Sequence, residues 1–402
     1  MTEAAEKGEI CPHLQERRIW IDGCFDFAHH GHAGAMLQAR QHGDELFVGV
    51  HSDEDILENK GPVVMKLAER MEAVQGCRWC TRAIPGAPYV TDPKVLDKYG
   101  CKYVVHGDDI TTDANGNDCY QAMKDMGRFI VVKRTPNIST TDLVGRMLLY
   151  SKDHFLPKVT CGEYDRFFKG QSMETLLLRS ESIETYKAYA TCEDGLNPGV
   201  AVFLYTEEDE KLHELVQPDR SNWLPTREIY YIDGGFDLFS PGHIVALKAL
   251  RELAEEKNAL VIAGVQDDSS VNKHKGLNYP IMNLFERSLC VLQSRYIDGI
   301  VIQAPYKPTA NFLRLFPMEV TEVFHGPTRE QDNPYQEVRE MGIFHRLERH
   351  QYDTMTSEDI VDRVLENRKT YEERQRRKGW KSKRETAMGV KVKEGVSKVI
   401  LG

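Results

Sequence analysis

No stretch of this chain approaches the roughly 20 consecutive apolar residues that a membrane-crossing helix needs, so a soluble protein is expected. No secretory leader is expected either: residues 1–9 are polar and acidic, without the basic and apolar segments that direct secretion. The nine cysteines are odd in number and follow no framework spacing, which argues for reduced thiols in the cytosol. Cys77 and Cys80 form a lone C-x-x-C on a helix-like stretch and read as buried thiols rather than a zinc or redox site. Positive charge is short as well. With 52 Lys and Arg against 62 Asp and Glu, the net charge of -10 excludes broad nucleic-acid binding but leaves room for a local basic pocket.

What is present points to a phosphate-handling α/β protein. The chain has 402 residues, enough for two or three domains. Residues 21–32 read I-D-G-C-F-D-F-A-H-H-G-H, between an apolar strand-like run and a helix-like stretch at 33–40. His29 and His32 are three apart, so if the helix opens at Gly31 and His32 both rings face one point near its N-terminus. Backbone N–H groups and the helix dipole favour phosphate there, and Gly31 leaves the backbone approachable. Alone, H-x-G-H is equally compatible with surface histidines in a glycine turn. Strands at 45–50, 102–106 and 129–133, with helices at 67–76 and 119–126, predict a parallel sheet covered on both faces. Ligands bind beyond the carboxyl ends of such strands. Gly107, Asp108 and Asp109 follow one strand, which ends at His106, and Arg134 follows another, so both groups should converge with the histidines. Ser139 with Asp142 marks a second helix start, Thr140 and Thr141 add hydroxyls, and Arg134 offers a fork for phosphate oxygens. By itself this is also a plain capped helix, and Lys60 in N-K-G-P is a solvated turn.

Together, D-G-x-F-D-x-x-H-x-G-H, K-G-P, H-G-D-D and R-T-x-x-I-S-T-T-D resemble the cytidylyltransferases of phospholipid synthesis over nearly the whole chain. The resemblance implies Rossmann-like parallel-sheet domains and attack by a phosphomonoester oxygen on the α-phosphorus of CTP, expelling pyrophosphate without a protein nucleophile. His29 and His32 would then contact the phosphates, Lys60 would be the catalytic lysine, and Arg134 with Ser139, Thr140 and Thr141 would hold the triphosphate. Cys24, Phe25, Gly31, His106, Gly107 and Asp108 complete the expected CTP site. Asp26, Lys60, Trp79 and Tyr120 are expected at the phosphorylated amine. Magnesium is expected on the triphosphate, its shell mostly phosphate and water, with no metal site of the protein's own. The chain departs from the family pattern at Asn137, where glycine is usual, and at Thr81 and Arg82, where two acids are usual.

The second half repeats the first: Y-Y-I-D-G-G-F-D-L-F-S-P-G-H places His243 211 positions after His32, and Lys275-Gly276, Glu286-Arg287 and His325-Gly326 follow in the same order. Two such domains in tandem resemble the ethanolamine-phosphate branch, whose product is CDP-ethanolamine. The choline branch carries one domain, a long amphipathic helix and a Ser/Pro-rich tail, and usually a tyrosine where Thr112 stands; a less aromatic pocket suits a primary ammonium. The expected division is a polar tail at 1–16, a catalytic domain at 17–150, a linker at 151–226, a degenerate second domain at 227–368 and a charged helix and tail at 369–402. The second domain keeps Asp237, His243 and Lys275. It has Ser240 for the first histidine, Tyr296 for the tryptophan and, counting back from Asp359, Gln351 for Arg134. One active site per chain is expected, with the second domain left to bind nucleotide, to regulate or to pack. The basic cluster at 374–384 around Trp380 is suited to acidic lipid headgroups, which would allow weak peripheral contact with the endoplasmic reticulum. Oligomeric state is not legible. A sister nucleotidyltransferase and a non-enzymatic nucleotide sensor remain as other readings.

Overall fold

The structure is a computed structural model that describes residues 14–109, 111–135, 138–149, 151–330, 332–367 and 369. The expectations for the N-terminal tail, Asn137 and the basic C-terminal cluster fall outside the described residues. The first domain runs β1 (Gln15–Gly23), α1 (His30–Arg40), β2 (Glu45–His51), α2 (Asp53–Lys60), α3 (Leu67–Gln75), β3 (Arg82–Ala87), α4 (Pro93–Lys98), β4 (Cys101–Gly107), α5 (Gln121–Asp125), β5 (Phe129–Val132) and α6 (Thr140–Leu149). Its five strands lie in the order β3-β2-β1-β4-β5, all parallel. Strand order reverses between β1 and β4, and the crevice beyond their carboxyl ends is where this class of sheet binds ligands.

Segment 151–226, expected to be an ordered linker with a helix at 176–178 and a strand at 201–205, is ordered and also adds two strands to the second sheet. It holds α7 (Cys161–Phe168), α8 (Ser180–Tyr189), β6 (Ala201–Thr206) and β7 (Lys211–Val216). The second domain follows as β8 (Ile229–Gly234), α9 (Pro241–Glu256), β9 (Leu260–Gln266), α10 (Asp268–Lys275), α11 (Leu284–Leu292), β10 (Gly299–Ala304), α12 (Ala310–Leu313), β11 (Val320–His325), α13 (Gln336–Glu340), β12 (Phe344–Arg346) and α14 (Ser357–Glu366). Its sheet has seven strands, β12-β11-β8-β9-β10-β6-β7. β6 joins β10 in parallel and β7 closes the edge antiparallel. The reason lies in the edge strands. In the first sheet β3 carries Pro85, which lacks the N–H that a further strand would need. β10 has no proline, so β6 can pair with it.

The domains face each other about a pseudo-twofold axis. Cys77 and Ser294, equivalent positions 217 apart, form an antiparallel bridge, so the contact pairs one residue with its own repeat. Arg78 reaches the carbonyls of Ser294 and Ile297, and Arg295 reaches those of Cys77 and Cys80. Cys77 and Cys80 lie buried in the turn after α3, not on the helix, and burial pushes the Cys77 thiol up to about 11. One hydrophobic cluster runs through both domains and the intervening helices.

Candidate active site

At the end of β1 the chain makes a tight turn in which Phe25 and Phe27 take positive φ, 52° and 48°. Bulky side chains rarely adopt this region, so the surroundings must hold them there. The second domain repeats the feature at Phe236 and Leu238. The turn delivers His29 to the N-cap of α1 and His32 to its third position. The two rings stack with centroids 4.0 Å apart. Their protonation follows from the capping bonds. His29 Nδ1 accepts the Gly31 N–H at 3.0 Å, and His32 Nδ1 accepts the His29 N–H at 3.3 Å. With both Nδ1 atoms accepting, each ring is a neutral Nε2–H donor. Desolvation, joined by the charges of Lys60 and Arg134, pushes His32 down to about 3. The charges of Lys60 and Arg134 thus act in the same direction on His32. No acid stands in the first turn of α1, so its N-terminal dipole is unopposed.

Gly31 has a tighter reason than access to the backbone. A Cβ there would lie 2.8 Å from both the His29 ring and Ile138, the residue that leads into α6. Lys60 closes α2, its Nζ 3.5 Å from Cys24 Sγ and 5.6 Å from the centre of the Tyr89 ring. Arg134 follows β5; its backbone N–H donates to Asp108 and its guanidinium lies 3.8 Å from Asp109, with the side chain about half exposed. Ser139 caps α6 by accepting the Asp142 N–H, and its hydroxyl donates to the Asp142 carboxylate at 2.5 Å. Thr140 Oγ1 donates to the Asp26 carbonyl, tying the second helix start to the histidine turn. Thr141 takes the next position of α6. His106 bonds the Gly107 carbonyl and Thr111 on the far side of the crevice.

The second crevice keeps the scaffold and changes the charges. Ser240 caps α9 and His243 Nδ1 accepts its N–H at 3.0 Å. Lys275 donates to Ser357 at 2.6 Å and pairs with Glu358 at 3.0 Å. Glu358 is the counterpart of Thr141, so a carboxylate occupies the helix start that is hydroxyl-lined in the first domain. Burial opposes its ionisation, yet the Lys275 ammonium holds the carboxyl below its usual range. The assignment of Gln351 to the place of Arg134 is corrected by strand register. Val104 pairs with Phe129 and Val323 with Phe344, which puts Arg349 at the Arg134 position. Counting back from Asp359 failed because fifteen positions separate Phe344 from Asp359 where thirteen separate Phe129 from Asp142. Arg349 is turned outward onto Asp353, its side chain 81% exposed. A cavity of about 430 Å³ remains, lined in part by Asp237, His243, Lys275 and Glu358.

The profile of the cytidylyltransferase-like family matches residues 20–146 and 231–383, one match for each domain. The ethanolamine-phosphate cytidylyltransferase of Mus musculus is 39% identical over 366 residues, covering 90% of this chain and 89% of the mouse protein. That of Dictyostelium discoideum is 40% identical over 90% of this chain and 94% of its own. Choline-phosphate cytidylyltransferase A of Homo sapiens matches at 36% identity across only 36% of this chain and 40% of its own. The chain belongs to the ethanolamine-phosphate cytidylyltransferase family.

In this family member the residues expected at the amine have other commitments. Trp79 is a correction: it is fully buried in the core and packs edge-on against Tyr189 of α8, with ring centroids 5.6 Å apart. Tyr120 is buried too, its hydroxyl donating to Asp22 at 2.6 Å and its ring lying 4.5 Å from that of His106. The Asp26 carboxylate accepts the N–H groups of Val64 and Met65, at 3.0 and 2.8 Å. Thr81 bonds both ways with Leu46 and so fixes β3 beside β2. Three contributors were missed. Arg70, fully buried, ties the carbonyls of Cys24, His51 and Met65 together. Tyr189 donates to the His30 carbonyl at 2.6 Å and crowds Gly34. Tyr89 lies beside Lys60. An arginine in an apolar helix was the available signal for the first; nothing local marks the other two.

Proposed function

We propose that the first-domain crevice transfers the cytidylyl group of CTP to phosphoethanolamine, giving CDP-ethanolamine and pyrophosphate on the route to phosphatidylethanolamine. The observation that carries this reading is the stacked pair of Nε2–H imidazoles at the start of α1, within reach of the Lys60 and Arg134 charges. An oxygen of the phosphomonoester attacks the α-phosphorus of CTP and the bond to the β-phosphate oxygen breaks. His29 and His32 donate to the α-phosphoryl oxygens as charge develops, and need no change of protonation to do so. Lys60 brings the acceptor phosphate and the α-phosphoryl together, offsetting the repulsion between two anions. Arg134, Ser139, Thr140 and Thr141 hold the departing pyrophosphate at the start of α6, while Cys24, Phe25, Gly31, His106, Gly107 and Asp108 border the nucleotide.

The nucleotide would enter as its magnesium complex. Among the described residues no cluster of three or more His, Cys, Asp or Glu is set to hold a metal. Bound to the triphosphate, the ion would take phosphate and water ligands and supply charge neutralisation there. The eight described cysteines are all thiols, in keeping with the cytosol, and no described helix is long and apolar enough to cross a membrane. Contact with the endoplasmic reticulum would rest on residues 374–384.

The test is pyrophosphate release with CTP or ATP, each paired with phosphoethanolamine, phosphocholine or glycerol 3-phosphate. CTP with phosphoethanolamine should dominate, and His29→Ala should lower kcat by about 10²–10³. Dominance of another pair would overturn the substrate; CTP binding without any turnover would favour a sensor.

A further inference from the structure

The loop that follows Lys60 is held from two sides. On the inner side the N–H groups of Val64 and Met65 donate to Asp26, which lies between Phe25 and Phe27 in the positive-φ turn that delivers His29. On the outer side the hold comes from the second domain. Arg363, on α14, donates from Nη1 to the Val64 carbonyl at 3.2 Å. The same guanidinium forks onto Glu69, at 2.8 and 3.1 Å. Glu69 in turn accepts the Lys66 N–H at 2.7 Å and is itself buried. A planar fork on a carboxylate fixes direction as well as distance.

The arrangement is reciprocal. Arg146, 217 positions before Arg363, reaches from α6 to the Ile281 carbonyl at 3.0 Å and forks onto Glu286. Ile281 and Met282 donate to Asp237 as Val64 and Met65 donate to Asp26. The two halves differ in what each loop serves. The second crevice has Ser240 for a histidine, Glu358 across Lys275 and Arg349 turned away. Arg363 faces the other crevice and keeps its full set of bonds.

We infer that Arg363 is a positioning residue of the first active site: the second domain holds the 61–66 loop, and through it the ammonium of Lys60, in the place the reaction needs. The degenerate domain thereby acts on catalysis without binding substrate. The inference rests on the proposed role of Lys60. Misplacing a reacting group by about 1 Å can cost on the order of 10²-fold in rate. Arg363→Gln should therefore lower kcat roughly tenfold to hundredfold, leaving the KM for CTP within about twofold.

Because Arg363→Gln strands a buried carboxylate, the test includes Glu69→Gln with Arg363→Gln, which removes both charges. Its melting midpoint should return toward wild type while kcat stays low, and Arg363→Lys, which keeps the charge but cannot fork, should recover stability better than rate. On a Lys60→Ala background Arg363→Gln should add no further loss. Amide exchange across 61–66, followed by mass spectrometry, should quicken in Arg363→Gln. Full kcat in the doubly neutralised variant, losses that multiply with Lys60→Ala, or unchanged exchange would each overturn the inference. A wild-type protein inactive with every substrate pair would sink the proposed reaction instead, and the exchange comparison would still decide whether Arg363 holds the loop.

Discussion

An imidazole that caps a helix through Nδ1 cannot also carry a proton on that atom, so His32 and His243 are neutral by construction. Burial, with the charge of Lys275, pushes His243 down to about 4; burial does the same for His30, under the domain interface. His32 lies at about 3. In the unfolded chain each titrates near 6.5, so below that pH the unfolded state takes up protons that the folded state refuses. Their contribution to stability is thus complete above about pH 6.5 and is lost as pH falls toward 4 and then 3. Denaturant unfolding at about pH 7.5 and about pH 5 checks this: the midpoint should fall at the lower pH, and a rise would contradict the assignment. Trp79 shows the limit of reading single residues. Its position in the family pattern suggested a ligand, yet the partner that decides its role, Tyr189, lies in the one segment that does not repeat. Trp79→Ala should cost about 3–5 kcal/mol of unfolding free energy, as buried aromatic truncations do, and Trp79→Phe much less. A large rise in KM for the acceptor with unchanged stability would return Trp79 to the site.

Among the elements, strands with short apolar runs free of proline were legible. β2, β4 and β5 fall within a residue or two of their expected ranges, and the histidine turn lies between β1 and α1 as its sequence implies. β3 was not, because R-A-I-P-G-A carries the residues that usually break a strand; at a sheet edge Pro85 does no harm. The apolar run at 201–205 is strand-like in sequence, but nothing local tells that it extends the second sheet. The helix starts of the site were legible from capping chemistry, since Ser139 with Asp142 is a local signal. The exchange of Arg349 for Gln351 has the opposite cause. Residues after a strand keep register with that strand, while a count from the following helix inherits every change of loop length.

For the whole molecule, the tandem repeat was visible in sequence and the way its halves meet was not. Cys77 against Ser294, Arg146 against Glu286 and Arg363 against Glu69 are each a contact between distant positions, and one of the hydrophobic clusters spans both domains. Separating the halves would expose that cluster, so the question of which crevice works is better put to point variants of the full chain. The most direct measurement is the parallel steady-state rate of His32→Ala and His243→Asn with CTP and phosphoethanolamine, asparagine being able to accept the Ser240 N–H in place of the imidazole. Chemistry confined to the first crevice predicts a loss of about 10²–10³ in kcat for His32→Ala and a rate near wild type for His243→Asn. Equal losses, or the larger loss at His243, would contradict it.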